Sequence, residues 1–345
     1  MKRIVLFDKD YQNLIFEITN QKVFHFWPSK SKIQLIPLFK GIFLKIINWN
    51  NEIKILYYYQ LLKKLSPDII ISFQDTNDDV FKLSLLFKKT KFIIIQDSYR
   101  PPGFYGSLKL KKDDIFITYS PLIKFNLCKN EFTFKTFKYL GKKNEKKINN
   151  AVIFISQYRN YSLNLLERVT KDYVSKISQL KVKNDFNFLS NERFFLKSIS
   201  QFFQNREDIL LYKSAYRLGS RFKKIKKINY FKTYKINEIS ASSADILWSK
   251  DDTIFLTIDS TMIFELLSYG KKILIYPYRE IYEEHEMDLH MELLKKKNPE
   301  LFIEKDFSDF EKKYNRLKNI NRKDYRKEIN TFVNLPPFSL SSFTN

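Results

Sequence analysis

The sequence predicts an α/β protein with two α/β domains that face a central cleft. Short apolar runs recur along the chain, and longer segments with helical periodicity follow them. Several runs, such as residues 69–71 and 92–95, are continuously apolar, which is typical of parallel strands covered by helices on both faces. A polar stretch at residues 141–150, rich in Lys and Asn, separates two such series.

The elements are predicted in the following order. In the first series, strands are expected at residues 3–7, 22–26, 68–73, 91–96 and 115–119, and helices at 52–65 and 78–88. In the second series, strands are expected at 151–156, 209–212, 228–232, 246–248, 253–258 and 272–276, and helices at 162–180, 191–204, 260–269 and 280–297. Residues 307–332 have the pattern of one or two charged helices. We therefore expect an N-terminal α/β domain over 1–145, a C-terminal α/β domain over 151–305, C-terminal helices over 306–333 and a loosely ordered tail over 334–345.

Composition excludes several kinds of site. The chain has 345 residues and six glycines, none of which form a Gly-x-Gly pair. This excludes the dinucleotide fingerprint and the Walker A loop, which need clustered glycines. A single cysteine, Cys128, excludes an internal disulfide and a thiolate zinc site and fits a reducing compartment. His285 and His290 are five residues apart rather than four, which excludes the zinc-protease helix motif. We expect no metal and no cofactor.

The net charge is +23, from 61 Lys+Arg and 38 Asp+Glu. It fits an AT-rich coding bias as well as a basic surface for an anionic partner. Residues 221–227 are strongly basic, and residues 36–49 combine Phe, Ile and Trp with Lys. Both segments are candidates for peripheral contact with an anionic membrane, and the alternatives are a solvated charged face and a buried helix. No run is long enough to span a bilayer or to form a signal peptide, so we expect a cytoplasmic protein that could lie at the inner face of the membrane.

The most informative candidate site follows the predicted strand at residues 253–258. Asp259, Ser260 and Thr261 come next, and a predicted helix begins directly after them. Asp259 or Ser260 is suited to cap this helix, whose free N–H groups would lie at the carboxyl edge of the sheet, where anions bind. Glu265, one turn into the helix, is placed to accept hydrogen bonds from a ribose diol. The alternative is an ordinary strand–helix unit without a ligand.

This segment resembles a known family. Ala-Asp-Ile at 244–246, Asp-Ser-Thr at 259–261, Phe-Glu-Leu-Leu at 264–267 and Gly-Lys-Lys at 270–272 are similar in order to the donor-side segment of GT-B glycosyltransferases. More narrowly, the chain resembles the bacterial surface polysaccharide (surface carbohydrate) biosynthesis proteins. Residues 71–84, 92–100 and 153–159 match further motifs of that family in the same order.

The resemblance implies a GT-B-like enzyme with two Rossmann-like α/β/α domains. It implies a nucleotide-sugar donor as substrate and a glycan or lipid-linked acceptor, in surface polysaccharide or cell-envelope glycan biosynthesis. Donor-binding residues carried over from it are Asp259, Ser260, Thr261 and Glu265. Lys213 and Arg217 are candidates for the basic group that holds the diphosphate, although the histidine that related transferases often carry there is missing.

The acceptor side is assigned to the N-terminal half. Asp75 and Asp97 each follow a predicted buried strand, and either is a candidate general base, although strand-end Asp residues more often act as helix caps. Asn77, Ser98 and Arg100 are further acceptor-side candidates. The sequence departs from the family pattern where Asp97-Ser98 replaces an Asn-Gly pair, which bears on acceptor choice and activity.

Three alternatives stay open at this point. A sugar-nucleotide epimerase of the same architecture would need no acceptor. A non-catalytic, basic protein that binds nucleic acid or a membrane would use the charge alone, although we do not expect nucleic acid to be a partner. A non-catalytic scaffold of the same pathway would explain the altered turn at residues 97–98.

Overall fold

The computed structural model describes most of two compact units. Within the first unit lie Met1–Tyr99, Ser107–Gly141 and Pro336–Asn345, and within the second lie Arg100–Gly106 and Lys142–Leu335. The residues that the structure describes are 2–7, 23–26, 34–46, 52–96, 100, 103–118, 120–135, 151–156, 190–214, 232–239, 246–247, 249–250, 252–258, 260–278, 287, 289–338 and 343.

The first unit contains a parallel sheet. Its described strands are β1 (Ile4–Leu6), β2 (Val23–His25), β3 (Ile69–Ser72), β4 (Lys91–Ile95), β5 (Ile115–Thr118) and β6 (Asn130–Thr133). They lie in the order β2-β1-β3-β4-β5-β6, and each neighbouring pair is parallel. Strands β1, β3 and β5 are buried along their whole length, which explains why their sequences are apolar without alternation.

Three described helices belong to this unit: α1 (Leu35–Ile46), α2 (Ile53–Leu65) and α3 (Asp78–Leu86). Helix α1 packs on α2 at Gly41, where an added Cβ would lie 3.2 Å from the backbone nitrogen of Tyr57. The missing side chain therefore lets the two backbones approach closely.

The second unit contains another parallel sheet. Its described strands are β7 (Ala151–Ser156), β8 (Ile209–Ser214), β9 (Asn237–Glu238), β10 (Ile254–Thr257) and β11 (Lys272–Ile275), in the order β11-β10-β7-β8-β9. The described helices are α4 (Ser190–Phe203), α5 (Met262–Ser268), α6 (Leu289–Lys297), α7 (Phe310–Asn319), α8 (Arg322–Glu328) and α9 (Asn330–Val333). Short 3-10 helices lie at Lys232–Tyr234 and Pro299–Leu301. Among the described residues, none of the helices is both long and apolar enough to cross a membrane.

Some predicted elements differ from the structure. Residues 246 and 247 are helical and buried, although a strand is predicted at 246–248. A short apolar run has the same pattern in a buried helical turn and in a buried strand, which explains the error. Strands β6 and β9 are not predicted from the sequence. The predicted helix at 162–180 and all but the last residue of the predicted strand at 228–232 lie outside the described residues.

Residues 334–345 are predicted from the sequence to form a loosely ordered tail. In the structure, Pro336 and Phe338 of this segment contact the first unit. Phe338 is buried in the core cluster that includes Ile4 and Ile71, and its ring lies 5.6 Å from that of Phe134. The backbone N–H of Lys135 donates to the carbonyl oxygen of Pro336 at 3.0 Å. Burial of an aromatic side chain stabilises such a contact by roughly 1.5–3 kcal/mol.

Candidate functional site

The strand order of the second sheet reverses between β7 and β10. The chain builds β7, β8 and β9 in one direction and then places β10 and β11 on the other side of β7. In parallel α/β sheets, ligands bind outside the carboxyl ends of the strands at such a reversal. The residues that follow β7 and β10 are therefore the first candidates for a binding site in this unit.

Ser260 lies directly at the start of helix α5, after β10. Its Oγ accepts a hydrogen bond from the backbone N–H of Met262 at 3.2 Å, and its carbonyl oxygen accepts from Ile263 N–H at 2.9 Å. The N-cap position itself is occupied by Thr261, and Ser260, one of the two predicted caps, lies one residue earlier and satisfies one N–H group of the first turn. Thr261 is exposed, and its side chain makes no capping hydrogen bond. One exposed and one buried hydroxyl therefore lie side by side at the carboxyl edge.

Glu265 is buried in the first turn of α5. Every residue of this helix is buried, and Glu265 is its single charged residue. A buried carboxylate is costly unless hydrogen-bond donors satisfy it. The pKa of Tyr269 is raised, mainly by burial of its hydroxyl group and to a smaller extent by the negative charge of Glu265. A carboxylate in this position can accept hydrogen bonds from hydroxyl groups of a ligand.

A second buried carboxylate lies at the same edge of the sheet, and the sequence analysis missed it. Ser156 ends β7, and its Oγ donates to Oε1 of Glu192 at 2.6 Å. Both side chains are buried, and Glu192 lies in the first turn of α4. In the sequence, Glu192 is an acidic residue in the first turn of a predicted helix, which is so common that it gives no sign of burial.

The start of α4 is also tied to the segment that follows β11. The side-chain amide of Asn191 donates to the carbonyl oxygen of Tyr278 at 2.6 Å. The Tyr278 hydroxyl accepts from Nζ of Lys295 at 3.3 Å, and Lys295 lies 3.7 Å from Glu304. Partial burial lowers the pKa of Lys295, but the interactions of its ammonium group with Tyr278 and Glu304 have the larger combined effect, and the pKa is raised overall. Polar contacts therefore join the start of α4 to the segment after β11.

In the first unit, the strand order reverses between β1 and β3. Asp75 lies in the turn that follows β3 and is almost fully buried. Gln96 follows β4, is buried, and accepts a hydrogen bond from Thr118 Oγ1 at 2.7 Å. Asp75 is thus located at the strand end where a ligand of this sheet is expected, and its role as a general base stays a prediction.

Asn77 caps helix α3. Its Oδ1 accepts from the backbone N–H of Asp79 at 3.0 Å, and its Nδ2 donates to Oε1 of Gln74 at 3.0 Å. These bonds give Asn77 a structural role that the sequence analysis did not assign. Its predicted contact with an acceptor is not tested by this geometry.

The remaining predicted residues are only partly described. Arg100 is buried, groups with the second unit, and places its guanidinium 5.1 Å from the ring centroid of Phe104. Lys213 pairs with Ile155 in the sheet, but its side chain is outside the described part of the structure. Asp97, Ser98, Arg217 and Asp259 also lie outside the described residues.

Metal ligation gives no further candidate. Within the ranges given above, no group of three or more His, Cys, Asp or Glu side chains is arranged to hold a metal ion.

No family model matches the chain, and no curated protein matches it in sequence. Solved structures do match its fold. A putative UDP-N-acetylglucosamine 2-epimerase from Listeria monocytogenes is 10% identical, with a TM-score of 0.52 over 99% of this chain and 94% of that chain. The spinosyn rhamnosyltransferase SpnG is 9% identical, with a TM-score of 0.51 over 100% and 99% of the two chains. SpnG also matches as a complex with thymidine diphosphate. The S. aureus MnaA–UDP co-structure is 10% identical, with a TM-score of 0.50 over 99% and 94%.

At these identities the likeness concerns the fold alone. It extends over nearly the whole of each chain, so both parallel sheets and their order along the sequence are included. The predicted fold class, α/β with two Rossmann-like units of the GT-B type, is confirmed.

Proposed function

We propose that this chain is a glycosyltransferase that transfers a sugar from a nucleotide-sugar donor to a glycan or lipid-linked acceptor in surface polysaccharide or cell-envelope glycan biosynthesis. The observation that carries the proposal is the buried Glu265 in the first turn of helix α5, whose first free N–H group is bound by Ser260, after the strand where the order of the second sheet reverses. Fold neighbours solved with thymidine diphosphate and with UDP support a nucleotide as the ligand of this fold.

In this proposal the second unit binds the donor. Glu265 accepts hydrogen bonds from the ribose hydroxyls, and the hydroxyls of Ser260 and Thr261 donate to the diphosphate. Asp259, Lys213 and Arg217 are proposed as further donor-binding residues because of the family resemblance. The basic side chains balance the charge of the diphosphate in place of a metal.

The first unit binds the acceptor. In an inverting transfer, Asp75 or Asp97 takes the proton from the acceptor hydroxyl as its oxygen attacks the anomeric carbon of the donor. The bond from that carbon to the diphosphate oxygen breaks, and the nucleoside diphosphate leaves with the electron pair. Asn77 and Ser98 are the proposed neighbours of the acceptor in this unit. Arg100 is a further candidate from the family resemblance, although it groups with the second unit.

The test is a thermal-shift panel of UDP, GDP, CMP and thymidine diphosphate sugars on the full chain. A ligand present at about 100 times its Kd adds about 2.7 kcal/mol to the stability of the unit that binds it, an increase in Tm of roughly 5–10 °C. Glu265→Gln is expected to weaken binding about tenfold to hundredfold, because it removes hydrogen bonds to a charged group. Ser260→Ala is expected to weaken it about fivefold.

Ser268→Ala is the matched control. Ser268 lies in the same helix and donates to the carbonyl oxygen of Glu265 at 2.8 Å, so its loss lowers stability locally. We expect a lower Tm for Ser268→Ala with an unchanged Kd. Absence of any shift across the panel would contradict the proposal.

A sugar-nucleotide epimerase is the second candidate, because one of the matched structures carries the name of a putative UDP-N-acetylglucosamine 2-epimerase. Product analysis with the nucleotide sugar that binds separates the two. Conversion of the sugar without any added acceptor would favour the epimerase, and release of nucleoside diphosphate only with an acceptor would favour the transferase.

A further inference from the structure

We propose that the exposed face of helix α1 is a docking surface for an anionic lipid bilayer. Five large apolar side chains of this helix point away from the protein: Leu35, Ile36, Phe39, Phe43 and Ile46 are each 63–71% exposed. Isolated exposed apolar residues are normal, whereas a contiguous group of this size marks an interaction site.

The five side chains form one continuous stripe. At about 100° per residue, they fall within an arc of roughly 100° around the helix axis. Lys40 lies beyond one edge of this arc, and Lys45 lies beyond the other, past the half-buried Leu38 and Ile42. An apolar stripe with Lys on both sides is the arrangement of helices that lie in the interface of a membrane.

The stripe is held in place by the fold. Pro37 and Gly41 are the buried residues of α1, and they lie on the opposite side of the helix, against α2. The backbone N–H of Gln34 donates to the Tyr57 hydroxyl at 3.0 Å, and Nζ of Lys64 donates to Oε1 of Gln34 at 3.1 Å. The exposed apolar face is thus presented by a helix that is docked on the unit.

Charge favours an anionic partner. Residues 34–65 contain five lysines and one acidic residue, Glu52. Nζ of Lys82 lies 2.7 Å from Oε1 of Glu52, so this single negative charge is compensated. Nζ of Lys54 lies 2.5 Å from Oδ2 of Asp79 on α3, so the positive charge that favours an anionic partner comes from the other four lysines. Each exposed lysine near an anionic membrane surface strengthens binding by about 1 kcal/mol, which is about fivefold in affinity.

A second copy of the chain fits this face less well. A two-fold interface through α1 would bring the lysines at the edges of the stripe toward the same lysines of the other copy, and like charges across an interface are unfavourable. A twelve-residue helix is about 18 Å long, short of the roughly 30 Å needed to cross a bilayer. The helix therefore lies along the bilayer surface.

The experiment is flotation of the full chain with vesicles of phosphatidylcholine, alone or mixed with phosphatidylglycerol. We expect the protein to float with the mixed vesicles at low ionic strength and to dissociate as salt is added. Phe39→Ser/Phe43→Ser is expected to lower the partition coefficient by about tenfold or more. Lys40→Gln/Lys45→Gln is expected to lower it by about thirtyfold on the mixed vesicles only.

Leu85→Ser is the matched control, because Leu85 is an apolar residue on α3 of the same unit and is 56% exposed. It should float like the unchanged protein. Failure of the unchanged protein to float with mixed vesicles would overturn the proposal, as would equal flotation of Phe39→Ser/Phe43→Ser. Sedimentation equilibrium is run in parallel: a dimer that this double variant converts to a monomer would assign the face to a second copy instead. None of these measurements needs a donor, so they are independent of the proposed function.

Discussion

Gly270 illustrates how a single backbone conformation joins helix α5 to strand β11. Its φ is +71°, in the left-handed region that residues with side chains rarely adopt. Its N–H donates to the carbonyl oxygen of Leu267 at 3.0 Å and so closes the end of the helix that carries Glu265. A Cβ added here would lie 2.7 Å from Nε of Arg326, so a side chain at this position would strain the backbone and would also require Arg326 to shift.

Gly270→Ala is therefore expected to lower the free energy of unfolding by about 2–4 kcal/mol, from backbone strain and the clash together. Gly103→Ala separates the two effects, because Gly103 has a φ of +76° but no neighbour within 4 Å of an added Cβ. It should cost about 1–2 kcal/mol, the backbone strain alone. Urea unfolding measures both variants. Equal losses at the two positions would show that Arg326 moves away freely.

The two buried carboxylates show a limit of prediction at the residue scale. Glu265 follows Ser260 by five residues, shortly after the apolar run of β10, so the local sequence identifies it as a candidate site residue. Glu192 is buried and accepts a hydrogen bond from Ser156, 36 residues earlier in the chain, and no local pattern indicates that contact. The sequence thus identifies a buried polar residue that is close to a strand along the chain. It does not identify one whose partner lies on a strand far away in the sequence.

At the scale of elements, α3 depends on its cap. Asn77 satisfies the N–H of Asp79 and also binds Gln74, so the turn after β3 and the helix are joined through one side chain. Asp75 lies within that turn. The geometry of a candidate catalytic carboxylate is therefore linked to a helix cap.

Asn77→Ala is expected to lower the free energy of unfolding by about 1 kcal/mol, and Asn77→Ser should retain most of the stability because serine also caps well. Chemical denaturation checks the stability, and sugar transfer is measured alongside. If Asn77 also contacts the acceptor, the stable Asn77→Ser protein loses activity. If Asn77→Ala unfolds like the unchanged protein, the capping role is wrong.

The strands that the sequence predicts differ in burial from those that it does not predict. Strands such as β3 and β10 are buried on both faces, so their sequences are apolar throughout. Strand β6 is half-exposed, with the sequence Asn-Glu-Phe-Thr, and β9 has two residues. Such short edge strands are defined by backbone pairing with a neighbour rather than by their own side chains, and so their sequences do not reveal them.

At the scale of the whole molecule, the chain returns to its first unit at the C-terminus. Phe338 lies in the core of that unit, and the ring of Phe343 lies 5.1 Å from that of Phe132. The first unit therefore contains contacts between residues far apart in sequence: Phe132 and Phe343 are 211 positions apart.

Removal of the residues after Leu335 is expected to lower the unfolding temperature of the first unit and leave that of the second nearly unchanged. Phe338→Ala alone should cost about 3 kcal/mol, because a buried aromatic side chain is lost. Differential scanning calorimetry measures both changes. A chain that lacks only Thr344 and Asn345 is the control, and a truncation after Leu335 that melts like this control would contradict the predicted role of Phe338.

The sequence alone determined the class of the fold, because apolar runs buried on both faces and helical periodicity are properties of neighbouring residues. It also located the Ser260–Glu265 segment, since strand, cap and helix are contiguous there. Only the tertiary structure decided which strand ends lie side by side, that Ser156 binds Glu192, and that the C-terminal phenylalanines complete the first core. It also decided which side of α1 is exposed: the helix is apolar on nearly every side, and the close approach at Gly41 selects the face that is buried. These features depend on contacts between residues far apart in the chain, which no local pattern encodes.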